Sequence, residues 1–414
     1  MPQLFENFPA PDVLMAIDSE YPTMGVNTHI HTPYSFSAFK TMGELFDQAL
    51  QEGIRILGIN DFNTAEGFGE FSNMAVKNRI FPLFNMEFMG LIESAQEKGI
   101  RVNDPINPGR TYLCGKGFQN PFSMPEKYEA QIRKIVYAGQ LQLDEMVEKL
   151  NAHFKKSGFP LQLSLNEIRD NYATDLVRER HIARAIKDGV RGCFSDLNGK
   201  DRIWYDFLAP GLNPSLLDDD VYLENVIRDR FLKKGGPGYV EESASSFLPV
   251  TDLIVMIRES GGIPCYPVLL DNEEGWMTEF ENDWEALSET LTKMDIPAIE
   301  LIPPRNDNRI LKPFVEFFDS RGFVITFGTE HNTPQKTTLE VLCRGGKKLD
   351  PSLKNIGLRG AQVIAAHQYL VSKQKRGFLH SAGKSRISQK NDLESLGRNV
   401  LKWYFRNGVK SDQA

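Results

Sequence analysis

The sequence predicts an α/β protein, a β/α barrel that carries a mainly helical insertion. Three observations predict it. Short apolar runs alternate with amphipathic stretches toward both ends of the chain, as strands and helices do in βα repeats. Polar, chemistry-bearing residues gather where those runs stop, the strand ends at which β/α barrels do their chemistry. A long helical pattern over 126–154 interrupts the alternation in the middle and is stopped by Ser157-Gly158-Phe159-Pro160.

The elements follow in chain order. Residues 1–24 are a proline-containing lead-in. Met24-Gly25-Val26 is an apolar entry to a strand that reaches His29 and His31 and is ended by Thr32-Pro33. A helix over 41–52 leads to a strand over 54–59, capped by Asn60-Asp61-Phe62-Asn63-Thr64. A helix over 66–78 and a strand over 80–84 follow, ending at Asn85-Met86-Glu87. The first barrel segment is taken as 25–119, the helical insertion as 120–237, and the second barrel segment as 238–371. In that second segment a helix over 250–260 precedes strands near 263–266, 298–302 and 324–327. Residues 372–414 form a basic tail. Within it Leu393, Leu396, Val400, Leu401 and Tyr404 recur at helical spacing, as expected of an amphipathic helix docked on the barrel; a membrane-surface helix is the second reading.

The run NTHIHTPYS, from Asn27 to Ser35, is the most informative stretch. On a strand, residues two apart share a face, so His29 and His31 project together and form a pair of metal ligands. Only seven histidines occur in the chain, which makes the pairing more than a product of composition. Two surface histidines in a turn are the alternative reading of the dipeptide pattern taken alone.

Further motifs join it in order: GINDFNT from Gly58, NMEF from Asn85 and FGTEHNTP from Phe327. In sequence and spacing these resemble the PHP (polymerase and histidinol phosphatase) family of metal-dependent phosphoesterases. That family opens with H-x-H-T-x-x-S, continues with a T-D-H-N-T-like turn and a G-x-E strand end, and closes with G-S-D-x-H. A second set, DLVRERHIARAIKDGVRG (175–192), FLKKGGPGYV (231–240) and SGGIPCYP (260–267), is similar to the branch with a helical insert found in PHP nucleotide phosphatases and exonuclease-like members. The resemblance spans roughly residues 25–370. It implies a distorted, TIM-like barrel of the PHP type.

Carried over residue by residue, the resemblance implies one metal ligated by His29, His31, Glu87 and Glu330, the last with Glu in place of Asp. His331 is the alternative to Glu330, because the motif aligns equally one residue along. Two imidazoles and two carboxylates suit zinc, manganese or iron. The positions that would hold a second metal carry Tyr112 and Tyr266, and those for a third carry Phe62 and Asn332; a phenyl ring cannot ligate, and a phenol does so only when ionised. The expectation is therefore one divalent ion. Asp61 is expected as a general base or as a partner to a histidine, with capping of the following helix as its other reading. His331 and Tyr266 are further catalytic candidates.

For substrate binding the resemblance selects Arg178 and His181, and Arg305 stands at another strand end. Guanidinium forks suit phosphate or carboxylate; an exposed helix face and a loop anchor are the competing roles. His153, His367 and His380 have no ligand partner at helical spacing and read as structural. The expected function is a metal-dependent, phosphoesterase-like hydrolase acting on a small phosphorylated or nucleotide-like substrate through one metal. The alternative is a degenerate relative that binds a ligand or performs non-phosphate chemistry of the sugar isomerase or lyase type.

Composition sets outer bounds. The chain has 414 residues, with 48 Lys and Arg against 55 Asp and Glu, a net charge of −7. That gives no global attraction to nucleic acid; the expected partner is a small anionic molecule, with an oligonucleotide kept as the outer case. Cys114, Cys193, Cys265 and Cys343 are scattered and form no CxxC, which fits a reducing compartment. With no apolar run of membrane-spanning length and an acidic N-terminus broken by prolines, the cytoplasm is the expected location.

Overall fold

The computed structural model describes residues 4–16, 24–193, 213–271, 275, 277–378 and 386–408. His380 and part of the basic tail lie outside them. Its central element is a curved sheet whose strands run in the order β1 (Gly25–Ile30), β2 (Ile54–Phe62), β3 (Phe81–Leu91), β4 (Arg110–Lys116), β6 (Ile263–Val268), β7 (Ala298–Leu301) and β8 (Val324–Phe327). A two-residue β5 (Leu248–Pro249) pairs with β3 off this path. The barrel closes through a parallel bridge between Ile30 and Glu330, in which the His31 amide donates to the Glu330 carbonyl at 2.8 Å.

The connections are mostly the helices that the pattern predicts: α1 (Met42–Gln51) and α2 (Phe68–Asn78) join the first strands. Thr41 caps α1 by accepting from the Glu44 amide, satisfying one of the amides a helix start leaves unpaired. The sequence reading did not separate β4 from the first barrel half. β4 runs antiparallel to both β3 and β6, because 92–109 returns the chain to the same end of the sheet without crossing it. This reversal distorts the barrel.

The insertion contains α3 (Glu126–Lys156), α4 (Leu165–Tyr172), α5 (Glu179–Cys193) and α6 (Asp220–Ile227). It has its own apolar cluster, built from residues such as Leu150, Phe154, Ile182, Ile186, Leu223 and Ile227. The barrel's cluster is separate and extends over α7 (Val250–Glu259), α8 (Trp284–Lys293), α9 (Asn308–Ser320), α10 (Pro351–Ser372) and α11 (Arg386–Asn407). Leu393, Leu396, Val400, Leu401 and Tyr404 of α11 are buried in it, and the Tyr404 hydroxyl donates to the Ile80 carbonyl. Among the described residues no helix is long and apolar enough to cross a membrane.

Candidate metal centre

β1 carries a bulge where the first motif begins: Asn27 pairs with Leu57 but Ile30 with Ile59, so one extra residue is accommodated beside Thr28 and His29. Bulges of this kind re-aim side chains. Here His29 and His31 both point into the barrel mouth, with their Nε2 atoms 3.2 Å apart. Glu87, on β3, brings Oε2 to 3.6 Å from His31 Nε2. All three are buried, and their ligand atoms lie within 4.8 Å of one another.

The hydrogen bonds fix which ring nitrogen each histidine turns toward the protein. His29 Nδ1 stands 2.7 Å from Glu300 Oε2, and a carboxylate held by two cationic or N–H donors can only accept, so the His29 proton is on Nδ1. The Ser35 hydroxyl donates to Asp61 at 2.6 Å, which leaves its oxygen to accept from His31 Nδ1 at 3.2 Å. In the neutral form of each ring the lone pair is therefore on Nε2, and the two Nε2 atoms face each other. The Asn60 amide nitrogen lies 3.3 and 3.0 Å from the two His29 ring nitrogens, nearly equidistant and so across the ring, not in line with either lone pair. Burial, and then His29, Arg178, Arg305 and Lys116, push His31 well below its usual range and keep it neutral. Burial pushes Glu87 up, against the pull of His29.

This donor set fits a divalent ion. Two nitrogens on a tetrahedral ion with bonds of about 2.0–2.1 Å stand roughly 3.3 Å apart, close to the observed 3.2 Å. A second group, His29, Cys114 and Glu300, is also compact, but its cation is already present. Lys116 Nζ lies 2.7 Å from both Glu300 oxygens, and both side chains are fully buried. Burial, with Glu300 adding to it and Lys116 opposing it, leaves Cys114 protonated, its thiol pushed well above the usual range.

The fourth expected ligand, Glu330, reaches the same space with its carboxylate committed: Arg305 holds it through both oxygens, and the Asn332 amide donates to it at 2.9 Å. His331 is not brought into the site. Glu330 and His331 are consecutive left-handed residues, φ 63° and 58°, and the turn they form sends His331 outward to stack on Phe39. There Nε2–H donates to the Thr337 carbonyl and Nδ1 accepts from Thr329. Tyr266 is also absent from the site. Alternation along β6 turns Cys265 and Pro267 inward and Tyr266 outward, where its hydroxyl donates to buried Glu281 at 2.8 Å.

Asp61 is buried beneath the first motif, accepting from the Thr32 amide at 2.7 Å, the Thr32 hydroxyl and the Ser35 hydroxyl. Burial raises it to about 6 against those donors. It touches His31 only through Ser35, and it also pins the turn.

A cavity of about 520 Å³ opens over His31 and Glu87, and Arg178, Arg180, Arg305 and Tyr112 line it. Arg178 stacks on Phe62 at 4.0 Å, and among the described residues no carboxylate pairs with it. His181 supports it from behind: its Nδ1 accepts from the Arg178 amide at 2.8 Å while its ring packs on Phe36, and burial depresses it to about 3. His181 is thus a backbone anchor beside the cavity. His367, as expected, is structural, bridging the Gly261 carbonyl and the Phe378 amide.

Residues 27–132 match the family model of the PHP domain. This segment carries the PHP domain. Two solved structures are similar in fold. One is a candidate metal-dependent phosphoesterase from Bifidobacterium adolescentis, 15% identical over 81% of this chain and 96% of that one, with a TM-score of 0.52. The other is an amidohydrolase from Chromobacterium violaceum with bound sulfate and no metal, 15% identical over 80% and 95%, with a TM-score of 0.50. No curated protein matches the sequence. The PHP domain's own span contains His29, His31, Asp61 and Glu87; Arg178, Arg305 and Glu330 lie beyond it.

Sequence reasoning missed Glu300, Lys116 and Asn60. Glu300 stands alone in the apolar run Ala298–Leu301, and Lys116 ends the run Arg110–Lys116. A lone charge in a buried strand was the available signal, but their partnership, 184 residues apart, was not legible.

Proposed function

We propose that this protein is a metal-dependent hydrolase of small phosphate esters that works with one divalent ion held by His29, His31 and Glu87. The observation that carries the reading is the pair of imidazole Nε2 atoms 3.2 Å apart, each ring with its Nδ1 already partnered. Two such nitrogens facing each other in a buried site need a cation, a shared proton or a metal ion, between them, and Glu87 beside them favours the metal ion. The ion would supply Lewis-acid polarisation of a phosphoryl oxygen and activation of a water.

The chain's own residues supply anion recognition. Arg178 presents a guanidinium with no carboxylate partner among the described residues, seated on Phe62. Phe62 stands where the resemblance expects a metal-binding histidine, so a fixed organic cation takes the place of a further ion. Arg180, which burial lowers to about 10, remains charged at neutral pH and lines the same cavity. Arg305 spends two N–H groups on Glu330 and keeps others for a substrate oxygen. A second cavity of about 440 Å³ adjoins the first across Phe62, Tyr112 and Arg178 and gives room for the organic part of an ester. The B. adolescentis neighbour's description as a candidate metal-dependent phosphoesterase and the sulfate bound by the C. violaceum neighbour are consistent with this reading.

The test is elemental analysis of protein purified without added metal or chelator, beside a His29→Ala/His31→Ala variant, followed by a panel of phosphoesters, amides and sugar acids. The expected result is about one equivalent of transition metal, lost in the variant, with turnover confined to phosphoesters. Protein that takes up no metal on reconstitution, or that turns over only amides or sugar acids, overturns the reading.

A further inference from the structure

The pair Glu300 and Lys116 lies beneath the proposed ion site and is not used by it directly. Both residues are fully buried. Every donor around Glu300 converges on its two oxygens. The Thr326 hydroxyl donates to Oε1 at 3.2 Å, the Thr28 hydroxyl is shared between Oε1 at 3.2 Å and the Phe327 carbonyl at 2.9 Å, Lys116 donates to both oxygens at 2.7 Å, and His29 Nδ1–H at 2.7 Å and the Cys114 thiol at 3.7 Å donate to Oε2. Lys116 also donates to Asn60 Oδ1 at 3.1 Å, which turns the Asn60 amide across the His29 ring. On the other side the β8 turn presses against His29: a Cβ added to Gly328 would lie 2.2 Å from His29 Cβ, so only glycine allows the approach. The ring is held from the Nδ1 edge, from one face and at its Cβ.

We propose that Glu300 is the positioning residue for His29, fixing its proton on Nδ1 and aiming Nε2 at the ion, and that Lys116 is the internal counter-charge that reserves Glu300 for this task. The inference rests on the reading of His29, His31 and Glu87 as the ion site. A carboxylate on the far nitrogen of a ligating imidazole sets its tautomer and orientation and strengthens it as a ligand. An unpaired Glu300 beside His29 and Cys114 would itself complete a compact cation-binding group. The Lys116 ammonium occupies that position, so a divalent ion is confined to the Nε2 side of His29.

Removing one member of a buried ion pair leaves the other uncompensated, so the test uses paired double variants, Lys116→Met/Glu300→Gln and Lys116→Met/Glu300→Met. The first keeps an oxygen that can accept from His29 Nδ1; the second does not. Cobalt(II) titration gives affinity, and the visible absorption of the bound ion reports its ligand geometry. The methionine double variant is expected to lose about 10- to 100-fold in affinity, with a changed spectrum. The glutamine double variant is expected to stay near wild type in both. Equal, wild-type-like affinity and spectra in both variants, with circular dichroism showing both folded, would make the pair purely structural and overturn the proposal.

Nitrogen-15 spectra of histidine-labelled wild-type protein without metal serve if either variant fails to fold. A His29 ring protonated on Nδ1 supports the proposal, and one protonated on Nε2 overturns it. Wild type and His31→Ala are titrated alongside. Unchanged cobalt binding in His31→Ala refutes the ion site itself, which is distinguishable from a failure confined to the Glu300 variants.

Discussion

The two ends of the barrel mouth treat their ligand-type residues in opposite ways. At the β1–β3 end, His29, His31 and Glu87 converge, and each imidazole has its outer nitrogen occupied and turns its inner one into the shared space. At the β8 end, Glu330 and His331 carry the same chemistry, but Arg305 and Asn332 occupy the carboxylate, and Thr329 and Thr337 occupy the ring. Ligand identity is a property of a side chain. Ligand availability is a property of its neighbours, and only the first end has it.

The hardest test of that contrast is His31→Ala. It is expected to lower zinc or manganese affinity by more than about 100-fold, beyond what outer partners contribute, in calorimetric titration. Retained binding would mean that the β1–β3 end is not the site. Next in size is Arg178→Met, which removes the fixed cation and leaves the ligands alone. Its kcat/KM on a phosphate ester is expected to fall about 10- to 100-fold, the size of a charged hydrogen bond of roughly 1.5–3 kcal/mol, with metal content unchanged. A fall in metal content would show that Arg178 belongs to the ion site after all.

Smaller is the pH response of the β8 turn. Burial holds His331 below its usual range, so the folded state favours the neutral ring. Its stabilising contribution is complete above the unfolded value near 6.5 and declines as pH falls below it, since protonation at Nδ1 removes the bond from Thr329. The opening free energy of the 329–338 amides, read from hydrogen exchange relative to the intrinsic rate at each pH, should fall between pH 7.5 and 5 by on the order of 1 kcal/mol. His331→Gln should flatten the response, and a steep dependence persisting in that variant would assign it elsewhere. The smallest effect expected is that of Glu330→Gln on the ion: about one equivalent should still bind, with the change falling on KM through the loosened Arg305. Loss of the ion in Glu330→Gln would restore Glu330 as a ligand and erase the contrast.

Much of this was legible in the chain. The alternation of apolar runs and amphipathic stretches located β1, β2, β6, β7 and β8 within a few residues, because each is a buried strand bounded by turn residues, and it found the start of β3, which continues to Leu91. The H-x-H spacing placed two ligands on one face because strand side chains alternate. The reversal of β4 was hidden, since direction depends on where 92–109 lead the chain and not on composition. Tyr266 was expected at the site and lies outside because its parity on β6 depends on register with β7, where Pro267 opposes Glu300. Glu330 was legible as a carboxylate, but its capture by Arg305, 25 residues away, was not.

The seat of Arg178 has one more consequence. Its guanidinium comes from the insertion and its aromatic platform, Phe62, from β2. The two parts have separate apolar clusters, joined beside this seat by bonds such as Leu176 N–H to the Tyr34 carbonyl and Thr64 to Asp175. On the proposed reading, anion recognition is thus a quality of their junction, and it is exposed to local opening in a way the proposed ion ligands, on barrel strands or at the end of one, are not. On warming, the protein should lose its grip on substrate while it still holds its metal.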